Sequence, residues 1–106
     1  MAWKPATIAD VIRIVEGDLA SCSPEQATAF EMYRVEPHLA PIDRCGNLEY
    51  VVVVVAKNGN QVIYWEDIEE GFGISAVDAG GSVLEQDCNQ NDLGLALNAW
   101  INSRLP

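Results

Sequence analysis

The residue types best suited to catalysis or zinc binding are few and widely spaced in this sequence. His38 is its one histidine, and its three cysteines are Cys22, Cys45 and Cys88. A zinc site would require His38, Cys45 and Cys88 to converge with a carboxylate, and a nucleophile–base pair would require His38 to meet a cysteine. Nothing in their spacing requires this, and no Cys-x-x-Cys motif is present. We therefore predict three reduced thiols, with no catalytic residue, no metal site and no cofactor.

A calcium loop is a second candidate. Residues 87–91 read Asp-Cys-Asn-Gln-Asn and place side-chain oxygens at the first, third and fifth positions of an EF-hand loop. The match then ends, because Asp92 replaces the glycine of the sixth position and Asn98 replaces the glutamate of the twelfth. Asn91 is better explained as the N-cap of a following helix.

The densest group of carboxylates comprises Glu66, Asp67, Glu69 and Glu70, directly after an apolar run. They could hold a divalent cation or supply an acid–base pair, but such a pair needs one carboxyl group that burial raises in pKa. Acidic residues where a strand ends are typical of a solvated edge that resists pairing with other sheets. The remaining alternative is a protein-binding surface that also includes Asp78. We predict these five residues as the partner-binding residues.

The net charge restricts the classes of partner. The chain carries 16 acidic and 6 basic residues, giving −10. Residues 1–57 have five basic and eight acidic side chains (−3), and residues 58–106 have one basic and eight acidic (−7). Such a surface repels nucleic acids and anionic membranes and attracts a basic protein. Arg13, Arg34 and Arg44 could contact an anionic small molecule, but we expect them to pair internally with glutamates.

Length and composition predict one globular domain over residues 1–106. Apolar residues make up 49% of the chain and charged residues 21%. A chain of this size can bury about two thirds of its unfolded surface, which is enough for a core without disulfides. No apolar run approaches the ~18 residues of a membrane span, and the N-terminus lacks the pattern of a signal peptide. We therefore expect a cytoplasmic protein.

The secondary structure is organised around residues 48–65, which read LEYVVVVVAKNGNQVIYW. The five valines Val51–Val55 predict a strand that is buried on both faces and lies in the middle of a sheet. Asn58-Gly59 predicts a two-residue hairpin turn, in which Lys57 faces Asn60.

Capping motifs and apolar periodicity predict three helices. Thr7 and Asp10 resemble a capping box for a helix over 7–20, with a kink or fraying after Gly17 as an alternative. Residues 23–26, Ser-Pro-Glu-Gln, begin a second helix that ends before Pro37. The third helix carries an apolar stripe that should pack on the sheet: Leu93, Ala96, Leu97, Trp100 and Ile101.

The remaining segments complete the predicted fold. Residues 37–44 contain two prolines and should form an edge strand or a loop. Residues 72–86 should form a second hairpin around a glycine-rich loop. We therefore predict an α+β fold with an antiparallel β-meander of four to five strands. A helical hairpin precedes the sheet, and a C-terminal amphipathic helix packs on it.

Function is predicted from these general properties. In size, charge and element order, the chain resembles the small acidic immunity proteins that neutralise basic toxins in bacteria, although no motif matches residue by residue. The resemblance implies a bacterial, non-enzymatic inhibitor of a basic partner. The alternative is a small-molecule sensor or accessory domain, with a pocket between the C-terminal helix and the sheet lined by Tyr64, Trp65 and Phe72. Self-association through an uncovered apolar face would give a homodimer.

Overall fold

The computed structural model describes residues 7–43, 51–66, 71–84 and 93–103, and these residues form an α+β fold, as predicted. The elements in chain order are α1 (Ile8–Ala20), α2 (Pro24–Tyr33), β1 (Arg34–Asp43), β2 (Val51–Asn58), β3 (Gln61–Glu66), β4 (Gly71–Val77), β5 (Val83–Leu84) and α3 (Leu93–Ser103).

The five strands form the predicted antiparallel meander, with each strand paired to the next. The sheet then closes on itself, because β1 also pairs with β5 in parallel orientation. This pair is short and matches Ile42 with Val83 and Asp43 with Leu84. A parallel contact between strands so far apart in the chain leaves no pattern in the sequence, so the closure was not predicted.

The closed sheet separates two apolar clusters. Among the described residues, those buried in the inner cluster all belong to strands: Ala40, Ile42, Val52, Val54, Val62, Tyr64 and Val83. The helix-side cluster joins all three helices to the outer face, where Val53, Val55 and Phe72 lie. Alternate valines of β2 therefore face opposite clusters, which confirms the prediction of a central strand buried on both faces.

The turn between β2 and β3 differs from the prediction by one residue. Asn58 pairs with Gln61, so Gly59 and Asn60 are the two central residues of the turn, and Gly59 has φ 63°. A glycine followed by asparagine is a favourable pair for this turn, because glycine adopts positive φ without a steric penalty. Lys57 consequently pairs with Val62, and the predicted pairing of Lys57 with Asn60 is wrong.

A register shift between Val54 and Ala56 places one extra residue in β2. Val54, which precedes the bulge, pairs with Tyr64. Val55 and Ala56 both pack in the helix-side cluster. A bulge of this kind bends the strand and increases its twist, which helps a small sheet to close.

The N-terminal helices begin at the predicted caps. Thr7 and Asp10 form a capping box at α1, and Ser23 and Gln26 form one at α2. Helix α1 continues through Gly17 to Ala20, so the glycine does not end it.

Helix α2 ends at Tyr33, and Arg34 is already extended, with φ −62° and ψ 145°. The β-branched Val35 and the residue before Pro37 both favour extended backbone, so the helix ends before the proline is reached. Of the two predicted alternatives for this segment, strand or loop, the structure has a strand: Arg34 and residues 38–41 pair with β2, and the pairing with β5 is confined to Ile42 and Asp43.

Helix α3 is tied to both N-terminal helices. The backbone N–H of Leu93 donates to Asp18 Oδ2 at 3.0 Å, and Gln26 Nε2 donates to Gly94 O at 3.3 Å and to Asn98 Oδ1 at 2.9 Å. The predicted cap Asn91 lies outside the described residues. Trp100 is buried in the helix-side cluster, which confirms its prediction as a core residue.

Candidate functional site

The acidic group that was predicted to bind a partner begins with a buried residue. Glu66 ends β3, is 6% exposed and occupies the same strand face as Val62 and Tyr64 of the inner cluster. It therefore offers a partner almost no surface. Asp67, Glu69 and Glu70 lie outside the described residues, and they belong to the four-residue connection between the register partners Glu66 and Gly71.

Asp78, the fifth predicted partner-binding residue, is exposed but has a structural task. Its Oδ1 accepts hydrogen bonds from the backbone N–H groups of Gly80 and Ser82, both at 2.9 Å. The backbone of the same loop is closed by a bond from Asp78 N to Ser82 O, also at 2.9 Å. The carboxylate thus holds the β4–β5 loop in shape while it remains accessible to solvent.

In the chain, the two acidic segments adjoin opposite ends of β4. The connection with Asp67, Glu69 and Glu70 precedes β4 at Gly71, whereas Asp78 follows β4 at Val77. The strand between them spans about 20 Å, at about 3.3 Å per residue. Asp78 instead lies beside the β2–β3 turn, since Val77 N donates to Asn60 O at 2.8 Å.

The three aromatic residues predicted to line a pocket are divided between the two clusters. Tyr64 is 1% exposed and belongs to the inner cluster. Trp65 and Phe72 lie on the helix side, with ring centroids 5.2 Å apart in an edge-to-face arrangement. Neighbouring residues of a strand face opposite ways, so Tyr64 and Trp65 do not share one pocket.

A cavity lies elsewhere, between α1, α2 and the first two strands. Its volume is about 90 Å³. Most of its wall is apolar, and the wall consists of Ile12, Val15, Phe30, Val35, Pro37 and Val55, with Glu16 and Arg34 as its two charged residues. These residues come from four separate elements, so no spacing in the sequence could have identified them as a group.

The two charged residues of this cavity differ in their contacts. Arg34 Nη1 donates to Glu31 Oε1 at 2.6 Å, and the guanidinium carbon lies 5.1 Å from the centroid of the Phe30 ring. Glu16 is exposed and forms no ion pair with any residue in the described part of the chain. Arg34 thus has a nearby counter-charge, whereas Glu16 has none among the described residues.

The arginines behave as the sequence predicts where they are described. Arg34 pairs with Glu31, and Arg13 pairs with Asp10, although the latter acid is an aspartate. Asp10 also accepts a hydrogen bond from the backbone N–H of Thr7 at 3.0 Å. That backbone bond, then the Thr7 hydroxyl and the nearby Arg13, hold the pKa of Asp10 below its ordinary value. Arg44 lies outside the described residues.

The candidates for metal binding and nucleophilic catalysis are only partly described. His38 is exposed, and its Nδ1 lies 3.0 Å from the backbone oxygen of Glu36. Cys22 is half-buried against the helix-side cluster, whereas Cys45 and Cys88 lie outside the described residues. Within the described ranges, no three His, Cys, Asp or Glu side chains are grouped as metal ligands would be.

No helix in the described part of the chain has both the length and the apolar character needed to span a membrane. Comparison with protein-family models, with curated proteins and with solved structures finds no match to this chain.

Proposed function

We propose that this chain is a non-enzymatic binding module that docks a basic protein through carboxylates of the β3–β4 connection. The observation that carries the proposal is the uneven charge: after Lys57 the sequence contains eight acidic residues and one basic residue, Arg104. Charge of one sign attracts an oppositely charged protein over distances of the order of a Debye length, about 8 Å at physiological salt. Inhibition of a basic toxin, as in the immunity proteins, is the specific form that this function could take.

The sheet supports this placement through its topology. Glu66 and Gly71 are register partners on adjacent antiparallel strands, so the two residues that flank positions 67–70 lie next to each other in the sheet. Asp67, Glu69 and Glu70 are three of those four residues. Their charges are therefore concentrated in a short stretch, and we propose this stretch as the main contact. Asp78 follows the other end of β4, and we propose it as a further contact for a large partner.

The test uses a variant that leaves the buried Glu66 in place. Asp67→Asn, Glu69→Gln and Glu70→Gln together remove three charges and replace each carboxylate with an amide of similar size. Association with the basic partner recovered from lysate should slow by about tenfold or more at low salt, because charge complementarity acts mainly on the association rate. The dependence of that rate on salt should also become weaker.

A control variant distinguishes a local surface from net charge. Glu16→Gln, Glu25→Gln and Glu36→Gln remove the same number of charges at exposed positions of α1, α2 and β1. The control should associate at nearly the rate of the unmodified chain. Equal slowing by the two variants would show that net charge alone steers the partner, and unchanged association of the first variant would rule out the β3–β4 connection.

The setting of this function is inferred from sequence. We propose a cytoplasmic bacterial protein that binds neither nucleic acid nor anionic membrane. Self-association is a further possibility, since Leu39 (56% exposed) and Val51 (53% exposed) leave apolar surface on the outer face of the sheet. Sedimentation at several protein concentrations tests it, and a purely monomeric protein would exclude the homodimer.

The second candidate function is small-molecule binding, and the cavity near Glu16 and Arg34 favours it. Apolar cavities with a few polar groups are the usual form of ligand sites. Tyr64, Trp65 and Phe72 do not line this cavity, so the site would lie between the N-terminal helices and β1 and β2. A ligand that binds only the folded state raises the thermal midpoint by mass action, which a panel of small molecules would detect.

A further inference from the structure

We infer that the cavity between α1, α2, β1 and β2 binds a small branched aliphatic amine, with its alkyl group inside and its ammonium group at Glu16. This inference deepens the second candidate function, small-molecule binding. It is independent of the basic protein partner, so either proposal can fail while the other stands.

The size of the cavity sets the size of the alkyl group. An engineered apolar cavity of about 150 Å³ in another protein accommodates the six carbons of benzene. By the same ratio, a cavity of about 90 Å³ accommodates about three to four carbons. An isobutyl group has four carbons and therefore matches this volume.

The wall selects an apolar occupant over water. Six of its eight residues have apolar side chains, and Val15, Phe30 and Val55 among them are buried core residues. A water molecule needs two to four polar partners to remain in a cavity, and such a wall supplies few of them. An alkyl group gains dispersion contacts with the same surfaces and leaves no hydrogen bond unsatisfied.

The charges at the cavity select the head group. Arg34 is already held by Glu31 at 2.6 Å and stacks near Phe30, so its positive charge is largely compensated. The Glu16 carboxylate has no ion-pair partner in the described part of the chain. An ammonium group at the cavity mouth therefore meets net negative charge, whereas a carboxylate there would be repelled.

Three probes of nearly equal shape test the inference: isobutylamine, isobutanol and isobutyrate. Each is titrated at pH 7 into the ¹⁵N-labelled full chain, and amide chemical shifts are followed. The amine should bind with a millimolar Kd, as expected for so few atoms. The alcohol should bind about three- to fivefold more weakly, which is the contribution of an exposed ion pair, and the carboxylate should bind most weakly. The largest shifts should occur at cavity residues.

Variants locate the two parts of the site. Glu16→Gln should reduce amine affinity to that of the alcohol, and Glu25→Gln, an exposed acid of α2 outside the cavity, should leave it unchanged. Val15→Ile should fill the cavity and weaken all three probes. Val55→Ile provides an independent filling variant from the sheet side, in case the helix variant folds poorly.

Several results would overturn the inference. Equal affinity for the three probes would exclude selection by Glu16, and saturable binding that survives both filling variants would place the ligand elsewhere. Absence of saturable binding of the amine would exclude the site altogether. None of these results would affect association with a basic protein through residues 67–70.

Discussion

Gly73 offers the sharpest test of the packing inside the closed sheet. It pairs with Tyr64 across β3 and β4, and the aromatic ring covers it. A Cβ at position 73 would lie 2.9 Å from both Cζ and Oη of Tyr64 and 3.3 Å from its Cε1. The ring is rigid and buried, so it has no route to solvent. Gly73→Ala should therefore destabilise the fold.

Two opposing effects set the magnitude. Overpacking a buried site costs about 1–3 kcal/mol. Replacing glycine by alanine in a strand recovers about 0.5–1 kcal/mol of backbone entropy. The cost of overpacking should exceed the gain in backbone entropy, so the free energy of unfolding should fall by about 0.5–2 kcal/mol. For a chain of this length, a change of 1 kcal/mol in the free energy of unfolding shifts the thermal midpoint by about 4–8 °C, so we expect the midpoint to fall by about 2–16 °C.

Thermal and urea unfolding followed by circular dichroism measure this change, and Gly17→Ala is its matched control. Gly17 lies inside α1, and apart from the adjoining helix backbone no atom lies within 4 Å of the place that an added methyl group would occupy. The same substitution there should stabilise the chain by about 0.5–1 kcal/mol, because alanine is the better helix former. The two variants should thus shift the midpoint in opposite directions.

The side chain of Tyr64 decides whether the reasoning is correct. In a Tyr64→Leu background the shorter side chain should no longer reach position 73, so Gly73→Ala should cost little or should stabilise. An equal loss in both backgrounds would show that the ring is not the cause. No loss in the unmodified background would refute the close approach of Tyr64 to Gly73.

Three further predictions concern the helices. Thr7→Ala should lower stability by about 1 kcal/mol through loss of the α1 N-cap, measured by urea unfolding. The folded-state pKa of Asp10 lies below its ordinary value of 3.8. The contribution of Asp10 to stability should therefore be present above pH 3.8 and disappear as the pH falls through the folded-state pKa. Asp10→Asn should reduce the loss of stability that the unmodified chain shows between about pH 5 and pH 3. Asp18→Ala should lower stability by about 0.5–2 kcal/mol and speed hydrogen exchange at the Leu93 amide. Unchanged exchange at Leu93 would contradict the hydrogen bond between Leu93 and Asp18.

Local patterns predicted much of the fold. The capping boxes at Thr7 and Ser23 determine where α1 and α2 begin, and both depend on residues three positions apart. The run of valines in β2 is also a local pattern. It predicts a strand because β-branched residues favour strands, and it predicts burial on both faces because an unbroken apolar run places apolar side chains on each face. These features need no knowledge of the rest of the chain.

Features that depend on distant contacts were not predicted. The bulge near Val55 and the β1–β5 closure both involve pairing between separate strands, which no local run of residues specifies. The acceptor for Leu93 is Asp18, which is 75 residues away in sequence. A cap recruited from another helix cannot be recognised from the residues that precede α3.

The candidate site was less predictable than the fold. Glu66 was grouped with its acidic neighbours, although strand alternation places it on the inner face with Val62 and Tyr64. That signal was present in the sequence, since the three residues are spaced by two. The cavity had no such signal, because its residues meet only when the two helices pack against β1 and β2.

The most direct test of the proposed function is an affinity pull-down from lysate of the source organism at low and at moderate salt. The unmodified chain and the Asp67→Asn, Glu69→Gln, Glu70→Gln variant are compared, and retained proteins are identified by mass spectrometry. The proposal predicts one basic protein that the unmodified chain retains at low salt and loses at moderate salt. The variant should not retain this protein at either salt concentration. No basic protein at either salt, or equal retention by the variant, would contradict it.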